Sequence, residues 1–364
     1  MKDIGFIKDN YLVGIDELKI ISMFFIVILH ILGHGGVIKA TDLFSLNYGA
    51  STMLESLCLC AVDCYALATG YLLCSRSFKL SRIVKLWCEV EAYSIVVGIG
   101  SALITGNADD LTLKQILMSL LPFLSKQYWY FTIYVGVFFL SPYLTLILHK
   151  FSRDSLKRMM LTVIFLVCVI PSIINFDLFE TPTGSLFWMC FCYIVGGYIA
   201  KYQVEIKKPV LLYFLGSLLM WGSRWLYDIM YLTIEDGYNG GVYVTLSSYV
   251  SPFCILSAIG LLGKFKERKI FSKKHSCFIR KISSMSFAVY LIHDNVKFKK
   301  YIWYDFFIRY SELNFIDMII RVIGSAIIVY CICLIFELIR SILMEKPNKL
   351  IEKIDKFNYL FEAK

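Results

Sequence analysis

Charged residues are scarce in this chain, and their scarcity excludes a soluble protein. Asp, Glu, Lys and Arg make up only 18% of the 364 residues, whereas 58% of the residues are hydrophobic. A soluble domain cannot cover its surface with so few charges, and several apolar runs are long enough to cross a bilayer. The composition therefore predicts an all-α integral membrane protein.

Other features are missing as well. The sequence contains no stretch typical of a soluble domain, no low-complexity linker and no clear internal repeat. Its twelve cysteines lack metal-ligand or disulfide spacing, and most lie within apolar runs, so we expect buried free thiols. The net charge of +9 needs no nucleic-acid partner, because membrane proteins concentrate Lys and Arg in their cytoplasmic loops.

About ten transmembrane helices are predicted from the apolar segments. The segments are 18–33, 51–73, 82–104, 128–148, 159–176, 185–200, 209–232, 242–263, 282–296 and 314–340. The ninth segment is short for a full crossing. We divide the chain into one multi-pass membrane domain, residues 1–344, and a short charged cytoplasmic tail, residues 345–364.

The distribution of Lys and Arg orients the predicted bundle. With the N-terminus inside, 27 of the 37 basic residues fall in inner segments and 7 fall in outer loops. Basic residues accumulate on the cytoplasmic side, so this asymmetry predicts both termini inside and an even number of spans. The outer loop 297–313 is an exception, because it carries four basic residues.

Lys19 and His30 are the most informative residues of the first span. They are eleven residues apart, which on a helix is about 1100° of rotation, so they share one face roughly 16 Å apart along the axis. Asp16 and His34 lie near the same stripe. An intramembrane histidine is costly and suits a general base, although a buried histidine that joins two helices is an equal alternative.

The loop after the second span carries Arg76, Lys79, Arg82 and Lys85. These cations form a candidate phosphate site at the inner mouth of the bundle. The general accumulation of basic residues in inner loops is the simpler explanation for such a cluster.

Five further residues are candidates for binding a polar substrate. They are Asp63 in the second span, Trp129, Arg224 and Asp228 in the seventh span, and His293 at the outer end of the ninth. A structural role competes in each case: a helix-bridging hydrogen bond for Asp63, an intrahelical ion pair for Arg224 and Asp228, and an aromatic belt for Trp129. His293 is either a second acid–base group or a cap contact.

These segments together resemble the acyltransferase-3 family of membrane proteins. The first span is similar to the family's motif of a basic residue and a histidine with ten residues between them, with Lys19 in place of the usual arginine and His30 as the histidine. Further similar segments are Ala68–Leu72 with the basic loop through Lys85, Tyr128–Phe131 with Ser141 and Pro142, Ser251–Phe253, and Phe287–Asn295.

The resemblance implies an acyl-CoA donor, usually acetyl-CoA, and a hydroxyl of a surface polysaccharide or lipid-linked sugar as the acceptor, with no metal. His30 would be the catalytic histidine, assisted by Lys19, and the CoA phosphates would lie near Lys19, Arg76, Arg82 and Lys85. Either His30 acts as a base or it becomes acylated. The location implied is the cytoplasmic membrane of a bacterium.

Two other functions are compatible with a polar, aromatic-lined bundle. A transporter or flippase for a lipid-linked glycan also needs intramembrane charges, but it more often shows internal repeats, and we find none. A non-catalytic scaffold of a glycan-synthesis complex does not need Lys19 and His30 on one helix face. The oligomeric state is not predicted.

Overall fold

The computed structural model consists of helices and their connections. It describes residues 12–105, 127–171, 185–234, 246–268, 272–296, 299 and 303–361. No strand occurs among these residues. Within these described ranges, four segments are long and apolar enough to cross a membrane, namely Val13–Ala40, Leu46–Leu73, Trp129–Lys150 and Phe315–Leu343. The prediction of an all-α membrane protein is confirmed at this level, while ten spans and inside termini stay predictions.

Thirteen α-helices are found in the described residues. They are α1 (Val13–Gly33), α2 (Leu46–Cys58), α3 (Ala61–Leu73), α4 (Leu80–Thr105), α5 (Trp129–Lys150), α6 (Arg153–Ile164), α7 (Leu186–Lys201), α8 (Pro209–Ile234), α9 (Pro252–Lys266), α10 (Lys273–His293), α11 (Tyr304–Phe307), α12 (Phe315–Leu343) and α13 (Glu345–Ile351). Short 3₁₀ segments occur at Ile38–Ala40, Ile308–Glu312 and Glu352–Phe361, and α6 continues into a π-helix at Phe165–Val169.

α1 lies at the centre of the bundle, whereas α12 lies at its surface. α1 packs against α2, α3, α9, α10 and α12, and it buries side chains such as Leu18, Val27 and Ile31 completely. The outer face of α12 instead exposes apolar side chains such as Ile320 and Ile335. A large exposed apolar face is unfavourable in water, so lipid is the medium that suits it.

Two glycines let α3 and α7 pack backbone to backbone. A Cβ on Gly70 would lie 2.0 Å from the Tyr193 carbonyl oxygen, and one on Gly196 would lie 2.0 Å from the Leu67 carbonyl oxygen. Small residues at such positions allow the close helix approach that stabilises membrane bundles. This tight pair holds the end of α3 that leads into the basic loop.

Several predicted helix boundaries were wrong. The segment predicted as one helix over 51–73 is two helices, α2 and α3, which meet at Leu59 and Cys60. The helix predicted over 242–263 begins at Pro252, where the Ser251 hydroxyl accepts a hydrogen bond from the Phe253 N–H. Proline at the first helical position suits this start. Residues 172–176 and 242–245 of the predicted helices lie outside the described residues.

The ninth predicted span is longer than its apolar run indicated. α10 has 21 residues, which is roughly 31 Å, but it is not among the four segments that are apolar enough to cross a membrane. It begins at Lys273, where the Ser272 hydroxyl accepts a hydrogen bond from the His275 N–H at 3.1 Å. The first half of α10 is rich in Lys and Arg, and hydropathy therefore missed it.

Candidate active site

α1 and α10 bring two histidines into contact. His30 Nδ1 lies 2.9 Å from His293 Nε2, and the ring centroids are 5.0 Å apart. His293 is only 3% exposed, and Trp303 packs against its ring at a centroid distance of 5.7 Å. The two residues are 263 positions apart in the chain, so only the tertiary fold unites them.

The hydrogen bonds of this pair determine which nitrogen of His30 is free. His293 Nδ1 lies within hydrogen-bond distance of the Val289 carbonyl oxygen, which can only accept, so Nδ1 carries the proton. The Nε2 atom of neutral His293 is then an acceptor, and His30 Nδ1–H donates to it. In neutral His30 the lone pair is consequently on Nε2, which is the arrangement that a general base requires.

A buried carboxylate completes this cluster. Asp294 is 2% exposed, and its Oδ1 atom lies 3.4 Å from His30 Nδ1, 3.6 Å from His34 Nε2 and 2.9 Å from Lys299 Nζ. Asp294 thus lies next to two imidazoles and one ammonium group. Lys299 was counted among the cations of an outer loop, and the structure shows it in an ion pair with Asp294.

Three residues of this cluster are also close enough together to be candidate ligands of a metal ion. His30, His34 and Asp294 each offer one ligand atom, and these atoms lie within 4.8 Å of one another. However, the Lys299 ammonium lies 2.9 Å from the Asp294 oxygen, and His30 Nδ1 is engaged by His293. A metal ion bound to this Asp294 oxygen would therefore compete with the Lys299 ammonium.

Three of the predicted phosphate ligands line a single cavity. Lys19, Arg76 and Arg82 border a space of about 260 Å³, together with Tyr65, Thr69, Leu72, Leu73, Leu86, Tyr130, Tyr134, Ser283, Ser286 and Phe287. The Lys19 side chain is 26% exposed and lies 3.4 Å from Asp16. Three cations around a partly apolar cavity suit a ligand with phosphates at one end and an uncharged arm at the other.

A second cavity of about 300 Å³ shares Arg76 and Arg82 with the first. Its wall is otherwise aromatic and small-polar, and it includes Phe78, Phe138 and Ser141. Arg76 and Arg82 therefore lie between the two cavities. We refer to both cavities together as the donor mouth.

α1 and α10 run side by side from the donor mouth to the imidazoles. At the mouth, the Ser283 hydroxyl donates to Asp16 at 2.7 Å, and Tyr65 donates to the Lys19 carbonyl oxygen at 2.9 Å. At the other end, His30 meets His293. Both helices therefore run in the same direction, as spans one and nine of the predicted topology would. The eleven residues from Lys19 to His30 span roughly 16 Å.

Arg224 and Asp228 belong to a polar network between α2 and α8. Arg224 pairs with Glu55 and donates to the Tyr48 hydroxyl at 3.2 Å, and the Tyr48 hydroxyl donates to Asp228. Sequence analysis favoured an intrahelical pair, whereas these partners lie on the neighbouring helix. Arg224 and Asp228 line neither cavity of the donor mouth.

The remaining candidates lie elsewhere. Asp63 is completely buried and accepts a hydrogen bond from the Trp188 indole at 2.9 Å, which joins α3 to α7. Trp129 is the first residue of α5 and packs edge-on against Tyr130. Lys85 pairs with Glu352 of the tail at 2.6 Å and does not line the donor mouth.

Sequence reasoning missed Asp294, Lys299 and Tyr65 as site residues. Asp294 directly follows His293, and an acidic residue at the end of an apolar helix was a usable signal. Lys299 was not distinguished from the other basic residues of the predicted loop 297–313. Tyr65 lies within an apolar helix, and the sequence holds no signal that it bridges Lys19 to Ser286.

Comparison with known proteins gives one match. A family model described as an acyltransferase domain, of the acyltransferase-3 type, matches residues 12–338. Neither the curated proteins nor the solved structures include a match to this chain. The matched region contains both the donor mouth and the imidazole cluster.

Proposed function

The chain belongs to the acyltransferase-3 family and is an acyltransferase, and on that basis we propose that it transfers an acetyl group from cytoplasmic acetyl-CoA to a hydroxyl of a surface or lipid-linked polysaccharide. The observation that carries the proposal is the pairing of two sites along α1. A cation-lined cavity lies at Lys19, and a histidine with a free Nε2 lies about three turns away at His30.

The donor mouth suits the phosphates of CoA. Arg76 and Arg82 border both cavities, and Lys19 borders the first. Arginine binds phosphate through paired N–H groups, whereas lysine acts as a compact point charge. In this proposal the phosphates lie at the arginines, and the pantetheine arm follows α1 and α10 towards His30.

Lys85 contributes less than the sequence indicated. It is engaged by Glu352 and stands apart from the cavities, so the proposal assigns the phosphates to Lys19, Arg76 and Arg82. The extended arm has to cover the roughly 16 Å between Lys19 and His30.

The proposed chemistry begins at His30 Nε2. This nitrogen takes the proton of an acceptor hydroxyl while the hydroxyl oxygen attacks the thioester carbonyl, and the thioester C–S bond then breaks. The proton passes from His30 to the departing CoA sulfur, so the products are an O-acyl ester and free CoA. Asp294 stabilises the transient imidazolium, and His293 holds the ring in the correct tautomer.

Direct transfer and a covalent acyl-histidine both use the lone pair on His30 Nε2, which the His30–His293–Val289 hydrogen bonds leave available. Trapping of a histidine-linked acetyl group in the absence of acceptor would establish the covalent route instead.

The acceptor is proposed by its chemistry only. A polysaccharide hydroxyl arriving from the side opposite the donor mouth would meet His30, whose side chain is 16% exposed. Asp63, Arg224 and Asp228 are engaged in contacts between helices, so their predicted role in binding the acceptor receives no support from their positions.

The proposal is tested in the cell. Surface polysaccharide is isolated from strains with and without an intact gene, and its O-acetyl content is compared by NMR. Loss of O-acetyl groups in the deletion strain, restored by the wild-type gene but not by His30→Ala, is the expected result. Unchanged O-acetylation across several polysaccharide fractions would contradict the polysaccharide assignment.

Donor binding separates this function from a transporter or scaffold. Purified protein should melt at a higher temperature with acetyl-CoA present, because a ligand stabilises the state that it binds. If acetyl-CoA left the melting temperature unchanged and a lipid-linked glycan raised it, the protein would instead be a transporter or flippase.

A further inference from the structure

The tail beyond the family match docks onto the start of α4. The match ends at residue 338, and the tail follows as α13 and the 3₁₀ segment Glu352–Phe361. The Asp355 carboxylate accepts hydrogen bonds from the Ser81 N–H at 2.8 Å and from the Ser81 hydroxyl at 2.9 Å. The Asn358 side-chain oxygen accepts from the Leu80 N–H at 2.8 Å. The predicted charged tail is therefore a structured element.

The start of α4 needs these contacts because it has no cap of its own. The first N–H groups of a helix lack partners within the helix, and a Ser, Thr, Asp or Asn at the preceding position usually supplies one. Lys79 precedes Leu80 here, and a lysine side chain has no acceptor. Asp355 and Asn358 supply the missing acceptors from more than 270 positions away.

An aromatic contact secures the loop before α4. The Phe361 ring lies 5.4 Å from the Phe78 ring and 5.3 Å from the Phe139 ring, centroid to centroid. Phe78 itself lines the second cavity of the donor mouth. The tail thus supports the outside of a loop whose inner side forms the cavity wall.

The segment held by the tail carries the donor-mouth arginines. Arg76 lies just before Phe78, and Arg82 lies one residue after Ser81. We propose that Asp355, Asn358 and Phe361 are positioning residues that hold Arg76 and Arg82 in place for the phosphates of acyl-CoA. This inference rests on the proposed function and extends it to a segment outside the matched family region.

The position of Glu352 raises the alternative that the tail is autoinhibitory, but the structure favours a role in positioning the arginines. Its pair with Lys85 places an anion near the basic loop, as an autoinhibitory contact would. However, Glu352 is 60% exposed, and Lys85 does not line the donor mouth. The Asp355 carboxylate and the Asn358 amide oxygen accept hydrogen bonds from Ser81 and Leu80 rather than from Arg76 or Arg82.

The experiment compares donor use by tail variants of the full-length purified enzyme. Asp355→Ala and Asn358→Ala are measured singly and together, with acetyl-CoA as the probe and the exposed Lys353→Ala as the matched control. The double variant should raise the acetyl-CoA KM about three- to tenfold, the scale of a lost helix cap, with kcat at saturating donor unchanged. Lys353→Ala should keep the wild-type KM.

A local cap provides the decisive rescue. Lys79→Ser supplies an N-cap from within the chain, so adding it to Asp355→Ala should restore most of the donor affinity. A merely destabilised protein would contain less active enzyme, so its apparent kcat would fall while its acetyl-CoA KM stayed at the wild-type value.

Three outcomes would overturn the inference. A wild-type KM in the double variant would show that the tail does not position the mouth, and tighter donor binding in Asp355→Ala or Glu352→Gln would show an autoinhibitory contact. Failure of the wild-type enzyme to bind acetyl-CoA at all would remove the proposed function and, with it, the positioning role.

Discussion

The two ends of α1 are built for different tasks. At Lys19 the helix borders an open, cation-lined cavity, whereas at His30 it is enclosed by an imidazole, a carboxylate and an indole ring. Lys19 at the first end pairs with Asp16 and still lines the cavity, while the groups at the second end contact one another. Under the proposed function, donor binding and chemistry would occupy separate positions on α1, so variants should separate them.

The largest effect is expected at the enclosed end. His30→Ala should reduce acceptor acetylation to background, because a positioned general base contributes about 10²–10⁴-fold to the rate. The O-acetyl content of the polysaccharide, together with protein level in the membrane, provides the measurement. The exposed His149→Ala serves as the matched control and should retain activity. Normal acetylation in the His30 variant would remove its assignment as the base.

A smaller effect at the same end tests the tautomer argument. His293→Ala removes the acceptor for His30 Nδ1–H, so His30 loses its fixed orientation. We expect kcat to fall about 10- to 100-fold, the scale of a misplaced catalytic group, with the acetyl-CoA KM unchanged. Steady-state kinetics would show this split, and a full kcat would mean that His293 has only a packing role.

Substitution at the Lys19 end of α1 should change the acetyl-CoA KM rather than kcat. Lys19→Ala removes one of three cations from the donor mouth, and the acetyl-CoA KM should rise about tenfold, the scale of a lost charged hydrogen bond. Lys19→Arg keeps the charge and should retain donor binding. If Lys19→Ala left both KM and kcat intact, Lys19 would serve only to orient the first span in the membrane. The proposed separation of donor binding at Lys19 from chemistry at His30 would then be contradicted.

The smallest effect is expected from pH acting on the tail. Burial opposes ionisation of Asp355, but hydrogen bonds from Ser81 outweigh it and lower the pKa of this carboxyl. The hydrogen bond and charge of Lys85 likewise lower the pKa of Glu352. A lowered pKa means that the docking contribution is fully present above the ordinary Asp value, about 3.9, and is lost as the pH falls below it.

Tail docking should therefore be constant between pH 5 and 8 and weaken only in acid, about pH 4 and below. A fluorophore pair placed on the tail and beside α4 would report the distance between them. Lys79, Arg82 and Lys85 are the cations that act on the tail carboxylates. Release of the tail near neutral pH would mean that other groups control it.

Some of this architecture was predictable because it follows from local spacing. The shared face of Lys19 and His30 follows from helix periodicity, and Arg76 and Arg82 follow from a run of basic residues. The pairing of His30 with His293 depends on how α1 and α10 pack, and no local pattern encodes that register. Tertiary packing also made Asp63 a structural residue, since its partner Trp188 lies on another helix.

The misread elements have a common cause. Hydropathy underestimated α10 because its first turns are charged, and a lysine-rich helix start resembles a loop. The tail was predicted only as a short charged segment, and the structure shows that its Asp355 and Asn358 side chains serve as caps for α4. Charge composition alone does not distinguish a solvated loop from a polar helix end that has partners.

The separation of binding from chemistry can be measured most directly in one purified variant. His30→Gln is compared with the wild type for acetyl-CoA binding and for release of the free CoA thiol in the presence of acceptor. The account predicts wild-type donor affinity with no thiol release above background. Thiol release at the wild-type rate, or a loss of donor affinity equal to the loss of turnover, would contradict it.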